Sequence, residues 1–376
     1  MKKKKIFFMS NKKTRIIAFY LPQYHPFPEN DEWWGKGFTE WTSVGKAKPL
    51  FRGHYQPKVP ADLGYYDLRL PTVREQQAEL AREAGIEGFM YWHYWFGNGK
   101  QLMSDIFDEV LESGKPDFPF CLGWANHSWY AKDWNSNDIK KDKILIEQTY
   151  KGELDYRKHF EKVLPAFKDQ RYIKMDNKPV FLIFDPINLP EDFIPLWNKW
   201  AKEEGFVDGI YFIAYAKTHQ INSKEEVLKK GYSAVTFERL KELYYRKNMS
   251  QKLLFLIKAI ITKALFNRPV FMKDYKKAYH YFVDEKDKCN DVIPFLLPNW
   301  DHTPRSGKKG LLLTNSTPEY FKKHARMVLS IVKQKENKLI FLKSWNEWAE
   351  GNYMEPDLKF GKKYIKALWE AIEELK

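Results

Sequence analysis

Two glutamates and two tryptophans crowd the stretch Trp345–Gly351, W-N-E-W-A-E-G. Glu347 and Glu350 stand three positions apart. On a helical turn that spacing puts both carboxyls on one side, roughly 5–6 Å apart at Cβ. Two carboxyls so close do not ionise with equal ease, so one is suited to hold a proton and the other to take one. The indoles of Trp345 and Trp348 can cover the apolar C–H face of a pyranose. Acid, base and aromatic wall together suit chemistry at a glycosidic bond. The same spacing also fits the first turn of an ordinary helix, where acids complement the positive end of the dipole. The rest of the chain decides between the two.

Something must carry the pair. Leu339–Leu342 (L-I-F-L), just before it, has the length and composition of a buried strand. Similar runs occur at 15–21, 86–92, 118–124, 179–184, 210–214, 234–237 and 293–297. Helical patterns separate them at 71–84, 102–111, 154–167, 193–204, 224–230 and 318–333, and a last one covers 362–375. About eight βα units predict an α/β fold, a (β/α)8 TIM-type barrel, with a doubly wound open sheet as the alternative. No G-x-G-x-x-G follows the first strand, so a dinucleotide site is not expected.

Barrel enzymes keep their chemistry after the strands, and the strand exits here are polar and aromatic. The first exit offers Tyr20, Tyr24 and His25, and the second Trp92, His93 and Trp95. The third offers Trp124, Asn126 and Trp129. Asp185 and Tyr215 follow the fourth and fifth strands, and Trp300 and Asp301 the seventh. Asn346 joins Trp345 and Trp348 after the eighth. A long aromatic loop after the first strand adds Glu40 and Trp41 as binding candidates, with a loop-stabilising role as the plainer reading of Glu40. Asp301 is expected as a hydroxyl ligand and backup acid. Histidines and tryptophans in such places also serve as ordinary core residues.

Residues 1–13 read as a disordered basic start and 14–376 as one catalytic barrel domain, interrupted at about 240–271 by a helical insertion after the sixth strand. Within that insertion, Lys252–Phe266 is apolar with interspersed lysines. It is too short and too charged to span a bilayer. It suits either a peripheral contact with the inner membrane leaflet or packing against the barrel or another subunit. The formal net charge of +14 points to an acidic partner, an anionic leaflet or a phosphorylated substrate. No zinc-finger or RNA-binding spacing appears, so nucleic acid is not expected. Two cysteines form no framework, and the apolar run at Ile6–Met9 is too short for a signal peptide, which predicts a cytoplasmic protein. Nine histidines without metal-ligand spacing, and the lack of Asp-x-Asp or a P-loop, predict no metal and no cofactor.

Four motifs occur in order: F-Y-L-P-Q-Y-H from Phe19, G-F-T-E-W-T-S-V from Gly37, W-A-N-H-S-W from Trp124 and W-N-E-W-A-E-G from Trp345. From about Thr14 to the C-terminus the chain resembles the WbsX-type proteins of bacterial polysaccharide gene clusters, also described as glycoside hydrolase family 99-like. The resemblance implies a (β/α)8 barrel and retaining chemistry without a protein nucleophile. Glu347 would be the base that helps the substrate's own 2-hydroxyl attack, and Glu350 the general acid/base on the glycosidic oxygen. The expected function is cleavage or transfer of glycosyl units in bacterial surface polysaccharide (O-antigen, lipopolysaccharide or capsule) biosynthesis. The expected partner is an oligo- or polysaccharide, free or lipid-linked. The competing readings are a glycosyltransferase using a nucleotide- or lipid-linked sugar donor and a non-catalytic glycan-binding protein on an enzyme fold.

Overall fold

The structure, a computed structural model, describes residues 13–131, 143–217, 223–240 and 271–375, with single positions at 243, 254, 257 and 269. The predicted disordered start, and nearly all of the insertion with its 252–266 stretch, lie outside the described residues.

Eight parallel strands form the centre: β1 Arg15–Tyr20, β2 Gly88–His93, β3 Phe120–Trp124, β4 Lys178–Ile183, β5 Tyr211–Lys217, β6 Ala234–Glu238, β7 Phe295–Leu296 and β8 Leu339–Leu342. Their spatial order is β7-β8-β1-β2-β3-β4-β5-β6. Among the described residues, the ring closes through one parallel bridge between Val235 and Val292. Val235 donates to the Asp291 carbonyl (2.9 Å) and accepts from Ile293 N–H (2.8 Å) there. The closed barrel, and not the open sheet, is the fold. Its strands are near-continuous apolar runs because both faces are covered.

Helices α1 Pro71–Glu83, α2 Ser104–Ser113, α3 Glu153–Lys168, α4 Phe193–Glu203, α5 Lys224–Leu228, α6 Pro318–Lys333 and α7 Lys363–Glu373 follow the strand pattern. α1 starts on Pro71 and stops at Gly85, whose φ is +79°. A Cβ on Gly85 would meet Ile372 Cδ1 at 2.7 Å, so this glycine also lets α7 close on α1.

Alternation along the strands sorts side chains into two layers. Phe19 faces inward, its ring 5.2 Å from Trp92 and 5.1 Å from Phe341. Tyr20 faces outward and its hydroxyl donates to Gln77 of α1 (2.7 Å). Tyr91 likewise faces out, against Phe107 of α2.

Two local expectations are corrected. β7 shrinks to two residues because Pro294 and Pro298 flank it and cannot donate to a ladder. The loop after β1 contains two short helices, Pro28–Trp34 and Glu40–Lys46, the second opened by a reciprocal Thr39/Thr42 capping box. Among the described residues no helix is long and apolar enough to cross a membrane.

Candidate active site

The chain leaves β8 and turns at once. Asn346 pins the turn to the exit of β1: its side-chain oxygen accepts from Leu21 N–H (2.8 Å) and its amide donates to the Leu21 carbonyl (3.0 Å). The Tyr24 hydroxyl donates to the Asn346 carbonyl and accepts from Trp348 N–H. Glu347 ends a two-residue strand, Asn346–Glu347, paired antiparallel with Asn352–Tyr353. Glu350 ends a single 3-10 turn, Trp348–Glu350. The α-helical turn expected from the sequence is therefore corrected to a strand end plus a 3-10 turn. Both carboxyls still reach the same hollow.

Gly351 closes that turn at φ +55°. A Cβ there would lie 2.6 Å from both Asp301 Cβ and Lys58 Nζ, so no other residue fits.

The hollow has a volume of about 1020 Å3 and opens at the C-terminal ends of the strands. Trp92 and Tyr94 reach it from β2, Asn126 and Trp129 from the β3 exit, and Phe184 and Asp185 from the β4 exit. Tyr215 and Lys217 come from β5 and Glu238 from β6. Trp300, His302 and Arg305 follow β7, and Lys343, Glu347 and Glu350 follow β8.

One guanidinium organises the acids. Arg305 Nη1 donates to Glu350 Oε1 (2.8 Å), and Nη2 donates to both oxygens of Glu40 (3.0 and 2.9 Å). Glu40 also accepts from Ala349 N–H (2.9 Å), inside the 3-10 turn. Burial opposes the charge on Glu350, but Arg305 beside it, helped by His302 at 3.6 Å, holds its carboxyl well below the usual range. Glu347 goes the other way: burial, then the charge of Glu350, pushes its carboxyl up. Lys343 Nζ, also lining the hollow, donates to the Tyr215 hydroxyl (2.9 Å) and lies 5.0 Å from the Trp300 ring centre. Two carboxyls in one hollow with opposite tendencies can move a proton in and out of a substrate bond.

Residues 16–368 match the Glycosyltransferase WbsX family. The chain belongs to that family. The uncharacterized protein WxcX of Xanthomonas campestris pv. campestris (strain B100) is 32% identical over 362 residues, covering 95% of this chain and 49% of WxcX. The chain thus spans about half the length of the curated relatives it matches. Among solved structures, a glycoside hydrolase-like protein superposes with a TM-score of 0.58 at 16% identity, covering 96% of this chain and 94% of that one. The GH99 endo-alpha-mannosidase from Bacteroides thetaiotaomicron, in complex with BIS-TRIS-propane, gives 0.54 at 16% identity, with 96% and 97% covered. These likenesses agree with the (β/α)8 barrel seen here.

Of the sites expected from the sequence, the WbsX barrel brings Trp92, Asn126, Trp129, Asp185, Tyr215, Trp300, Glu347 and Glu350 together around the hollow. The others sit behind its wall. Tyr20 points to α1, and Tyr24 and Asn346 fasten the β1 and β8 exits. His25 is buried beside Phe27. Glu40 holds Arg305, and Trp41 Nε1 donates to the Tyr66 carbonyl. His93 meets His159 Nε2-to-Nε2 at 2.8 Å, Trp95 stacks on the same imidazole, and Trp124 Nε1 donates to the Trp95 carbonyl. Trp345 packs on Phe89 and Trp348 stacks on Tyr353.

Asp301, expected as a sugar ligand and backup acid, is instead a brace. His54 and Gln56 hydrogen-bond one of its oxygens, and Thr303 donates N–H and hydroxyl to the other. Tyr94, Lys217, Glu238, His302, Arg305 and Lys343 line the hollow without having been singled out in the sequence. Tyr94 was legible: Trp92 faces in, so the alternation that sends His93 and Trp95 outward brings Tyr94 back inward.

Proposed function

We propose that this protein cleaves or transfers glycosyl units in the making of a bacterial surface polysaccharide, with Glu347 and Glu350 as its proton-transfer pair. The observation that carries the reading is the pair itself. Two carboxyls with opposite proton affinities share one hollow walled by Trp92, Tyr94, Trp129, Tyr215 and Trp300. Membership of the WbsX family and the glycosidase-like barrel support it. A hollow of about 1020 Å3 suits more than one sugar ring.

The test is turnover of an oligosaccharide from the producing cell's own surface glycan by the wild type and by Glu347→Gln and Glu350→Gln. Each variant is expected to keep the fold and glycan binding while losing about 10²–10⁴-fold in kcat. Near-normal rates in either variant would remove its residue from the chemistry.

A second reading, transfer from a phosphorylated, nucleotide- or lipid-linked donor, draws on the basic side chains Lys217, Arg305, Lys309 and Lys343 around the same hollow. Release of nucleotide or lipid phosphate coupled to acceptor elongation would favour it. New reducing ends without a donor would favour hydrolysis.

A further inference from the structure

Lys343 is the first residue after β8, and its backbone is held on both sides. Its N–H donates to the Leu296 carbonyl of β7 (2.9 Å), and its own carbonyl accepts from Asn352 Nδ2 (2.7 Å). The side chain reaches the hollow against two rings. Nζ lies 5.4 Å from the centre of the Tyr215 ring and 5.0 Å from that of Trp300. Tyr215 is itself stacked on Phe184, with 5.1 Å between centres and 17° between planes. The ammonium therefore sits in a fixed seat at the mouth of the barrel.

What it lacks there is an anion. An ammonium has three N–H donors, and the side-chain partner of this one is the neutral Tyr215 hydroxyl at 2.9 Å. Among the described residues no carboxylate stands within ion-pair distance of it. The acids that line the hollow have donors of their own. Arg305 bonds Glu350, Asn188 Nδ2 bonds Asp185 (2.7 Å) and Leu240 N–H bonds Glu238 (3.0 Å). Burial opposes the charge on Lys343, but Tyr215 beside it, with Glu238 and Glu350 farther off, keeps it protonated. In the open hollow, solvent can satisfy the remaining donors. A glycan that fills the hollow displaces solvent, and a neutral sugar returns hydrogen bonds but no charge.

We propose that Lys343 selects an acidic sugar, its ammonium receiving the carboxylate of a uronic acid bound in the hollow. This rests on the glycosyl-processing reading above and names the class of its substrate. A carboxylate suits the place better than a phosphate, because Glu238 and Asp185 line the same hollow and repel a second negative charge. Lys217, whose Nζ lies 4.6 Å from the centre of the Phe184 ring, adds positive charge on the same wall.

Binding alone tests it. The methyl glycosides of glucuronic, galacturonic and mannuronic acid are titrated into the full chain by ligand-observed NMR, each beside its neutral parent hexoside. At least one uronide is expected to bind about 10-fold tighter than its parent, the worth of one charge-assisted hydrogen bond. Lys343→Met should remove that preference, and Lys343→Arg should keep part of it. Thermal melting checks each fold, and Lys343→Gln takes the place of Lys343→Met if the latter does not fold. The corresponding hexose phosphates should bind more weakly than the uronides. Uronides that bind no tighter than their parents overturn the proposal, as does a preference that survives in the folded variant. A hexose phosphate that binds tighter than every uronide overturns the carboxylate. A uronide preference without turnover on any glycan sinks only the catalytic reading. Turnover of neutral glycans that needs Glu347 and Glu350, with no uronide preference, sinks only the role of Lys343.

Discussion

Glu355 lies behind the tryptophans of the β8 exit, enclosed by donors. Trp348 Nε1 (2.6 Å) and the Tyr66 hydroxyl (2.9 Å) bond one carboxyl oxygen, and Gln77 Nε2 (2.6 Å) bonds the other. Burial pushes its carboxyl up to about 7 although those donors pull it down. The sign of the pH effect follows. The unfolded chain sheds this proton near the ordinary 4.5 while the folded chain keeps it to about 7. Glu355 therefore contributes stability that is lost as pH rises through that window. Denaturant melts across it should show a falling midpoint for the wild type and a flatter profile for Glu355→Gln. That variant also turns an amide N–H toward donors, at a cost of about 1–3 kcal/mol. Asp301 makes the opposite case. Burial opposes its charge, but His54, Lys58 and Thr303 hold its carboxyl down to about 2. Asp301→Asn should thus destabilise the fold measurably by thermal melting, whereas loss of a mere sugar ligand would leave the melting point alone.

The elements explain what could be read in advance. Parallel barrel strands are buried on both faces, so each one stands out as an apolar run, and the limits of β8 and α6 in the structure match the sequence reading. Glu347 and Glu350 were legible because carboxyls at the end of such a run have no packing reason to be there. Arg305 was not, because its meaning lies in partners 45 and 265 positions away, which no local pattern brings together. His93 and Trp95 have types that suit sugars, but the two-residue period of the strand turns them onto His159 instead. The turn after β8 offers a test at this scale. Gly351 is held at φ +55° against the backbone of Asp301. Gly351→Ala adds left-handed strain of about 1–3 kcal/mol and must push Glu350 away from Arg305. Activity should fall together with stability. A variant that melts lower yet turns over normally would show that the turn can shift without disturbing the pair.

Across the whole barrel, continuous ladders join β1 through β6, and the weakest join among the described residues is the β6–β7 seam, where one β-bridge joins Val235 to Val292. A side-chain clasp spans that seam. Arg239, just past β6, donates to both oxygens of Asp287, which precedes β7, and to the Phe282 carbonyl. Both side chains are almost wholly buried, at 3% and 1% exposure. Breaking one partner of such a pair strands a charge in a dry site, so Arg239→Met should cost about 3–5 kcal/mol. The loss should also be localised. Hydrogen exchange should quicken first in β6 and β7, while β1–β3 keep their protection, because a ring joined by so few bonds at one place opens there before it unfolds globally. The arrangement has a functional side, since Trp300, His302 and Arg305 all hang from the β7 exit. Opening the seam would part these residues from Glu238 at the β6 exit, while the β7–β8 ladder keeps them beside Glu350. Uniform acceleration across all eight strands in Arg239→Met would mean that the barrel unfolds as one unit and that the seam has no separate existence.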